Sequence, residues 1–132
     1  MARVTIQLER RFSDLDVLGH VNNVTYLDYL QEARVRMLIN VGHMSVPEYS
    51  QVLARQEINF RKSLLLGLEP ISVEMWVTRI GTTSYTLEYR ILDHDGSLSA
   101  DALSVMVCLD RERQVPIPIP QSLRDALQEV SE

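Results

Sequence analysis

The stretch Asp14-Leu15-Asp16-Val17-Leu18-Gly19-His20-Val21-Asn22-Asn23-Val24-Thr25-Tyr26 decides how this chain is read. Its thirteen residues carry two carboxylates, an imidazole, two carboxamides and a phenol. A long amphipathic helix follows. From Asn23 to Val41, the residues Val24, Leu27, Leu30, Ala33, Met37, Leu38 and Val41 recur at helical spacing, Tyr26 and Tyr29 widen the stripe, and Gly42 suits the C′ position. A turn of acids delivered to a helix N-terminus sets a base or nucleophile beside N–H groups that carry partial positive charge. That pairing suits attack on a carbonyl carbon, whose oxygen becomes negative as the new bond forms. The ordinary alternative is structural, because Asp and Asn also cap helices and close turns.

Outward from this stretch the chain reads as strand. Val4, Ile6 and Leu8 alternate with Thr5, Gln7 and Glu9 ahead of the turn. Beyond the helix, Ala54, Gln56, Ile58 and Phe60 alternate with Arg55, Glu57, Asn59 and Arg61, and Ile71, Val73, Met75 and Val77 alternate with Ser72, Glu74, Trp76 and Thr78. A Gly81-Thr82-Thr83 turn leads to Tyr85, Leu87, Tyr89 and Ile91, and Asp95-Gly96 is a hairpin signal. Leu103 to Leu109 is nearly continuously apolar, the pattern of a central strand covered on both sides. Pro116, Pro118 and Pro120 are expected to end strand pairing, since proline has no N–H to donate. Ser122 to Val130 suits a short terminal helix. One antiparallel sheet around one helix fits this order. Such a sheet leaves an outer face and an edge to cover; a second subunit would do so, or Trp76 would cover local core.

The chain has 132 residues, 45% hydrophobic and 23% charged, which fits one globular domain, residues 1–132, able to bury its core without disulfide or metal. A net charge of −5 argues against a nucleic-acid surface or an anionic membrane surface. A single cysteine, Cys108, leaves no internal disulfide and fits a reducing cytoplasm. The N-terminal residues have no signal-peptide pattern, and no apolar run approaches the ~20 residues of a membrane span. His20, His43 and His94 are scattered and form no zinc spacing with the cysteine, so no metal is expected.

The acidic turn with its helix, the strand order and the ending Val115-Pro116-Ile117-Pro118 resemble the hotdog-fold acyl thioesterases of the 4-hydroxybenzoyl-CoA thioesterase type, over nearly the whole chain. The string Asp-x-Asp-x-x-x-His-Val-Asn-Asn-x-x-Tyr is also similar to that of bacterial long-chain acyl-CoA thioesterases and plant acyl-ACP thioesterases. The resemblance implies an α+β hotdog fold, a five-stranded antiparallel sheet wrapped around one long central helix. It implies that Asp16 is the catalytic carboxylate. This chain departs from the pattern with Val17-Leu18-Gly19 where the 4-hydroxybenzoyl-CoA enzymes have Pro-Ala-Gly, and with Leu18 where the plant enzymes carry asparagine. Gly67-Leu68-Glu69 stands where a Gly-Asp is common.

A thioester asks little of such a site. Its leaving group is a thiolate whose thiol has a pKa of about 8.5, so one carboxylate and an oxyanion site suffice. N–H groups near Gly19 to Asn23 would polarise the carbonyl, and Asp16 would activate water or attack directly. Gly19 reads as a close backbone approach or a plain turn glycine; His20 as a water or oxyanion partner or a packed histidine. Asn22 orients Asp16 or closes the turn. Asn23 is read as an N-cap before a catalyst, Asp14 as a turn carboxylate, and Tyr26 as lining pocket or core. Glu32 and Arg36 have the spacing of a solvated helix pair. Gln56 reads as facing the acyl pocket or as an edge-strand amide. Arg61, Lys62 and Ser63 are the best local phosphate site or a solvated strand end, and Arg111 with Arg113 is a second candidate. Thr83 and Ser84 offer hydroxyls near a thioester or ordinary turn residues.

The resemblance, taken with these residues, implies an acyl-CoA thioesterase needing no cofactor, with coenzyme A entering as part of the substrate, active as a homodimer or homotetramer with sites at subunit interfaces. The enzyme alternative acts on acyl carrier protein thioesters, and the non-enzymatic one is an acyl-CoA-binding domain. A hotdog dehydratase would need a histidine–carboxylate pair that no motif supplies.

Overall fold

Alternating apolar residues pair early strand with late strand. In the computed structural model, which describes residues 3–41 and 49–131, β1 (Val4–Leu8) lies antiparallel to β3 (Ile71–Ile80), with Val4 opposite Met75 and Leu8 opposite Ile71. β4 (Ser84–Leu92), β5 (Leu98–Asp110) and β2 (Tyr49–Phe60) complete one antiparallel sheet in the order β1-β3-β4-β5-β2. The helix α1 (Asn23–Asn40) packs on one face of it, and Leu30 and Ala33 are fully buried there. This is the expected sheet around one long helix. The C′ position assigned to Gly42 lies outside the described residues.

The buried face of α1 is rotated from the expected stripe. It consists of Tyr26, Tyr29, Leu30, Ala33, Arg34, Met37 and Leu38. Val24 and Leu27 are 66% and 40% exposed. The tyrosines win because each ring buries more area than Val or Leu and each hydroxyl finds a partner inside: Tyr26 at Ser99 and Tyr29 at Asp14.

The apolar run in β5 is not covered on both sides by this chain. Ala102, Ser104, Met106 and Cys108 face the core, while Leu103, Val105, Val107 and Leu109 are half-buried on the other face. Trp76 needs no second subunit to cover it: the Arg3 guanidinium lies 3.8 Å over its ring. The prolines do not end pairing either. The chain turns back beside β5, with Ile117 N–H donating to Cys108 O at 3.0 Å and Ile119 N–H to Thr82 O at 2.8 Å. Pro116 and Pro118 fall on the alternate positions, where no N–H is needed. Pro120 then caps α2 (Gln121–Glu129), which buries Leu123 and Leu127.

Irregularities in the sheet shape the site. Between the pairs Ile91–Ala100 and Leu92–Leu98 the register slips by one, leaving Ser99 as the extra residue. Its carbonyl accepts from both Arg61 N–H at 2.8 Å and Lys62 N–H at 3.1 Å, so the chain leaving β2 is fastened beside the start of α1.

Candidate active site

The acidic turn is built by its own hydrogen bonds. Asp16 N–H donates to His20 O at 2.8 Å, and Gly19 N–H donates back to Asp16 O at 3.1 Å. Gly19 closes this loop at φ +84°, with nothing within 4 Å of where a Cβ would stand. Backbone conformation, not a crowded neighbour, is what calls for glycine there. The Asp16 carboxylate accepts from Leu18 N–H at 2.9 Å and from His20 N–H at 3.3 Å, both on Oδ1. That fixes its orientation at the mouth of the turn.

Asp14 sits beneath. It is 2% exposed and accepts from Tyr29 Oη at 2.7 Å, Arg11 N–H at 2.9 Å and Arg11 Nε at 3.2 Å. Burial opposes its ionisation, but the Tyr29 and Arg11 hydrogen bonds outweigh it and hold the carboxyl below its ordinary value. Burial first, and then the bond to Asp14, push the Tyr29 phenol up. Asp14 is therefore a buried anchor between turn and helix, a stronger role than the turn carboxylate expected.

The N-cap is Asn22, one residue earlier than expected. Its Oδ1 accepts from Val24 N–H at 3.0 Å, and its own N–H donates to Asp14 O at 2.8 Å. Asn23 is the first helical residue. Among the N–H groups of residues 19 to 23, those of Gly19, His20, Val21 and Asn22 are taken by Asp16 O, Asp16 Oδ1, Leu64 O and Asp14 O. The Asn23 N–H has no acceptor among the described residues.

A cleft of 210 Å³ opens here, lined by Asp16, His20, Val21, Asn23, Tyr26, Phe60, Arg61, Lys62 and Ser63. Much of the expected site converges on it. Tyr26 forms its inner wall, its hydroxyl meeting Ser99 Oγ at 3.1 Å and Leu64 N–H at 3.2 Å and its ring standing edge-on to Phe60 at 5.1 Å. Arg61 and Lys62 reach the cleft already neutralised. Arg61 Nε donates to Asp101 Oδ2 at 2.7 Å, and Lys62 Nζ donates to Ser97 Oγ at 2.6 Å and Asp93 Oδ2 at 3.3 Å. The Arg61 bond, with Asn59, holds the Asp101 carboxyl down.

Other candidates lie elsewhere. Thr83 and Ser84 lie at the opposite end of the sheet: Ser84 pairs with Val107, whereas Phe60 pairs with Ala100, about 23 Å away by strand rise. Gln56 does not line the cleft; its amide accepts from Ser104 Oγ at 2.8 Å and donates to Leu103 O at 2.9 Å. Glu32 pairs with Arg36 at 2.8 Å, both half-exposed, and lines a separate cleft with Asp28. Arg111 donates to Tyr49 O at 2.8 Å, and Arg113 N–H donates to Asp110 Oδ1 at 2.7 Å. Among the described residues no three His, Cys, Asp or Glu side chains are grouped to hold a metal, and no helix is long and apolar enough to cross a membrane.

Two features escaped the sequence reading. Phe60 was visible only as a strand residue. Arg34 is buried on the sheet-facing side of α1; its four-residue spacing from Leu30 and Leu38 was the available signal.

The pattern of the thioesterase-like superfamily matches residues 10–127. The chain belongs to that superfamily. It is 30% identical to the long-chain acyl-CoA thioesterase FadM of Escherichia coli (strain K12), over 94% of this chain and 96% of that one. A thioesterase from Thermus thermophilus, solved in complex with coenzyme A and Zn, superposes with a TM-score of 0.83 at 29% identity, covering 96% of this chain and 92% of its own. A predicted thioesterase from Bacillus stearothermophilus gives 0.90 at 27% identity, over 99% and 98%. The fold is the hotdog fold, and the superfamily activity is thioester hydrolysis.

Proposed function

We propose that this thioesterase hydrolyses acyl-CoA, with Asp16 as its reacting carboxylate and the Asn23 N–H as an oxyanion donor. The observation that carries this is the convergence of both groups on one cleft, where Asn23 supplies the single unengaged N–H among residues 19 to 23. A carbonyl oxygen lodged at that N–H gains a hydrogen bond and the favourable end of the helix dipole as it becomes negative. Asp16, already oriented by Leu18 and His20, either takes a proton from water or attacks the carbonyl carbon to give an acyl anhydride that water opens. His20 lines the same cleft and is placed to order that water. Arg61, Lys62 and Ser63 border the route a nucleotide phosphate would take, though a phosphate there would compete with Asp101 and Asp93 for the two cations.

The working unit in this reading is a homodimer. β2 pairs with β5 along one side only, its other side carries no strand among the described residues, and Val52, Leu53 and Phe60 on it are 39% to 48% exposed. Two such edges pairing antiparallel would cover these side chains. They would also bring the far end of one sheet, with Thr83 and Ser84, to the Asp16 cleft of the other.

The test is thiol release from short, long, branched and aromatic acyl-CoAs beside a folded Asp16→Asn variant. Turnover that falls by at least two orders of magnitude in the variant supports the assignment. Turnover that survives it places the reacting carboxylate elsewhere, with Glu32 next.

A further inference from the structure

Arg34 is a cation held inside the protein without an anion among the described residues. It lies mid-way along α1 on the face against the sheet, and is 7% exposed. Its guanidinium NH1 donates to Tyr89 Oη at 3.1 Å and to Ser104 Oγ at 3.4 Å. Both acceptors are neutral. The Ser104 proton is committed to Gln56 Oε1 at 2.8 Å, which turns the hydroxyl's lone pairs toward Arg34. Two hydroxyls orient such a charge but do not balance it, and a buried charge without a counter-charge is costly to keep.

Arg34 also lines a cavity of 430 Å³. Val35, Leu38, Leu53 and Met106 give it an apolar wall, and no Asp or Glu is among its described lining residues. In a chain of net charge −5, the buried Arg34 guanidinium thus faces a cavity with no acid among its described lining residues. The apolar wall suits methylene groups, and the cation suits a carboxylate at their end.

The cavity is formed by the opening of β2, from Tyr49 to Leu53, and the Asp16 cleft by its close, from Phe60. Within one chain these ends are about 30 Å apart by strand rise. Antiparallel pairing of two β2 edges about their midpoint brings the cavity of one copy toward the cleft of the other. We propose that Arg34 is a specificity residue: the cavity takes the distal carboxylate of an ω-carboxyacyl thioester whose carbonyl lies in the partner copy's cleft. This rests on the acyl-CoA reading above and adds the class of acyl group to it.

The experiment compares two CoA esters of equal chain length, octanoyl-CoA and the monothioester of suberic acid, with the wild-type protein, Arg34→Met and Arg34→Lys. The readout is the ratio of the two kcat/KM values, which a merely structural loss would leave unchanged because both esters suffer alike. The expected wild-type ratio favours the suberyl ester at least tenfold. Arg34→Met should reduce the ratio at least tenfold, and Arg34→Lys should retain part of it. A wild-type ratio at or below one overturns the proposal, as does an unchanged ratio in Arg34→Met. Should Arg34→Met not fold, wild-type protein titrated with free suberate and with octanoate decides: suberate should move the Arg34 Nε–H resonance and octanoate should not, and equal responses overturn the proposal. Failure to hydrolyse either ester, with suberate still bound at Arg34, overturns the acyl-CoA reading and leaves the anion site standing.

Discussion

The Tyr29 hydroxyl donates to the buried Asp14 carboxylate across 2.7 Å, linking the second turn of α1 to the loop that presents Asp16. Neither group touches the cleft, so the bond acts through position alone. Removing it strands a buried carboxylate oxygen without one of its donors, which costs about 1–3 kcal/mol. Tyr29→Phe should lower the unfolding free energy by that amount, read as an earlier denaturant midpoint with little change in the cooperativity slope. Activity should fall only as far as the loop loosens, and adding a substrate analogue should recover part of the stability.

Acid should expose the same link. The Asp14 carboxyl is held below its unfolded value of about 3.9. A group shifted downward contributes stability that is fully present above the unfolded value and disappears as pH falls through the folded value. The difference in Tm between the wild-type protein and Asp14→Asn is therefore expected to be constant from pH 7 to about 5 and to shrink below pH 4, where Asp14 takes up its proton. A difference that stays level to pH 2 would show that Asp14 acts by shape and not by charge.

Gly19 tests whether backbone conformation or space governs the turn. With φ at +84° and open space around the missing Cβ, Gly19→Ala meets no clash but adopts a left-handed conformation that costs about 1–2 kcal/mol. The expected loss in chemical-denaturation stability is of that size. A larger drop in kcat than in substrate affinity should accompany it, because Leu18 and His20 N–H both aim the Asp16 carboxylate.

Tyr26 joins helix, strand and loop through one oxygen, meeting Ser99, Lys62 O and Leu64 N–H. Tyr26→Phe keeps the ring against Phe60 and leaves the Leu64 donor and Ser99 to find other partners, a loss of about 1–3 kcal/mol. Hydrogen exchange at Leu64 N–H should quicken more than at Leu30 N–H in the middle of α1. Uniform quickening would mean the hydroxyl has only a global role.

Cys108 faces the core from β5, and burial raises its thiol to about 11. At pH 8 it should resist a disulfide reagent in the native state and react completely once the protein is unfolded. Rapid native-state labelling would show that β5 opens locally.

Much of this was legible because the signals were local. Alternation exposed β3 and β4, and the Asp, Gly, His and Asn of one turn marked both the helix start and the cleft. The losses came where a partner distant in sequence decides. Val24 and Leu27 satisfy helical periodicity as well as the tyrosines do, and only the positions of Ser99 and Asp14 tell which stripe turns inward. Asn22 and Asn23 are equivalent caps until the Asp14 carbonyl claims the N–H of Asn22. β2 begins five residues before its alternation shows, because a register shift between Leu53 and Arg55 breaks the period. Arg34 shares the four-residue spacing of Leu30 and Leu38, but its charge argues for solvent until Tyr89 and Ser104, distant in sequence, are seen to receive it.

The alternating prolines finish the end of β5 against a further strand. The segment that returns beside β5 offers its donors at Ile117 and Ile119 inward, while Pro116 and Pro118 present ring carbons outward. A ladder with donors on one side only cannot template another strand. Aggregation by strand addition is thereby blocked along this margin, while the open side of β2 keeps all of its backbone N–H groups. The same residue type that would ruin a central strand serves here as a molecular selvedge for the end of β5.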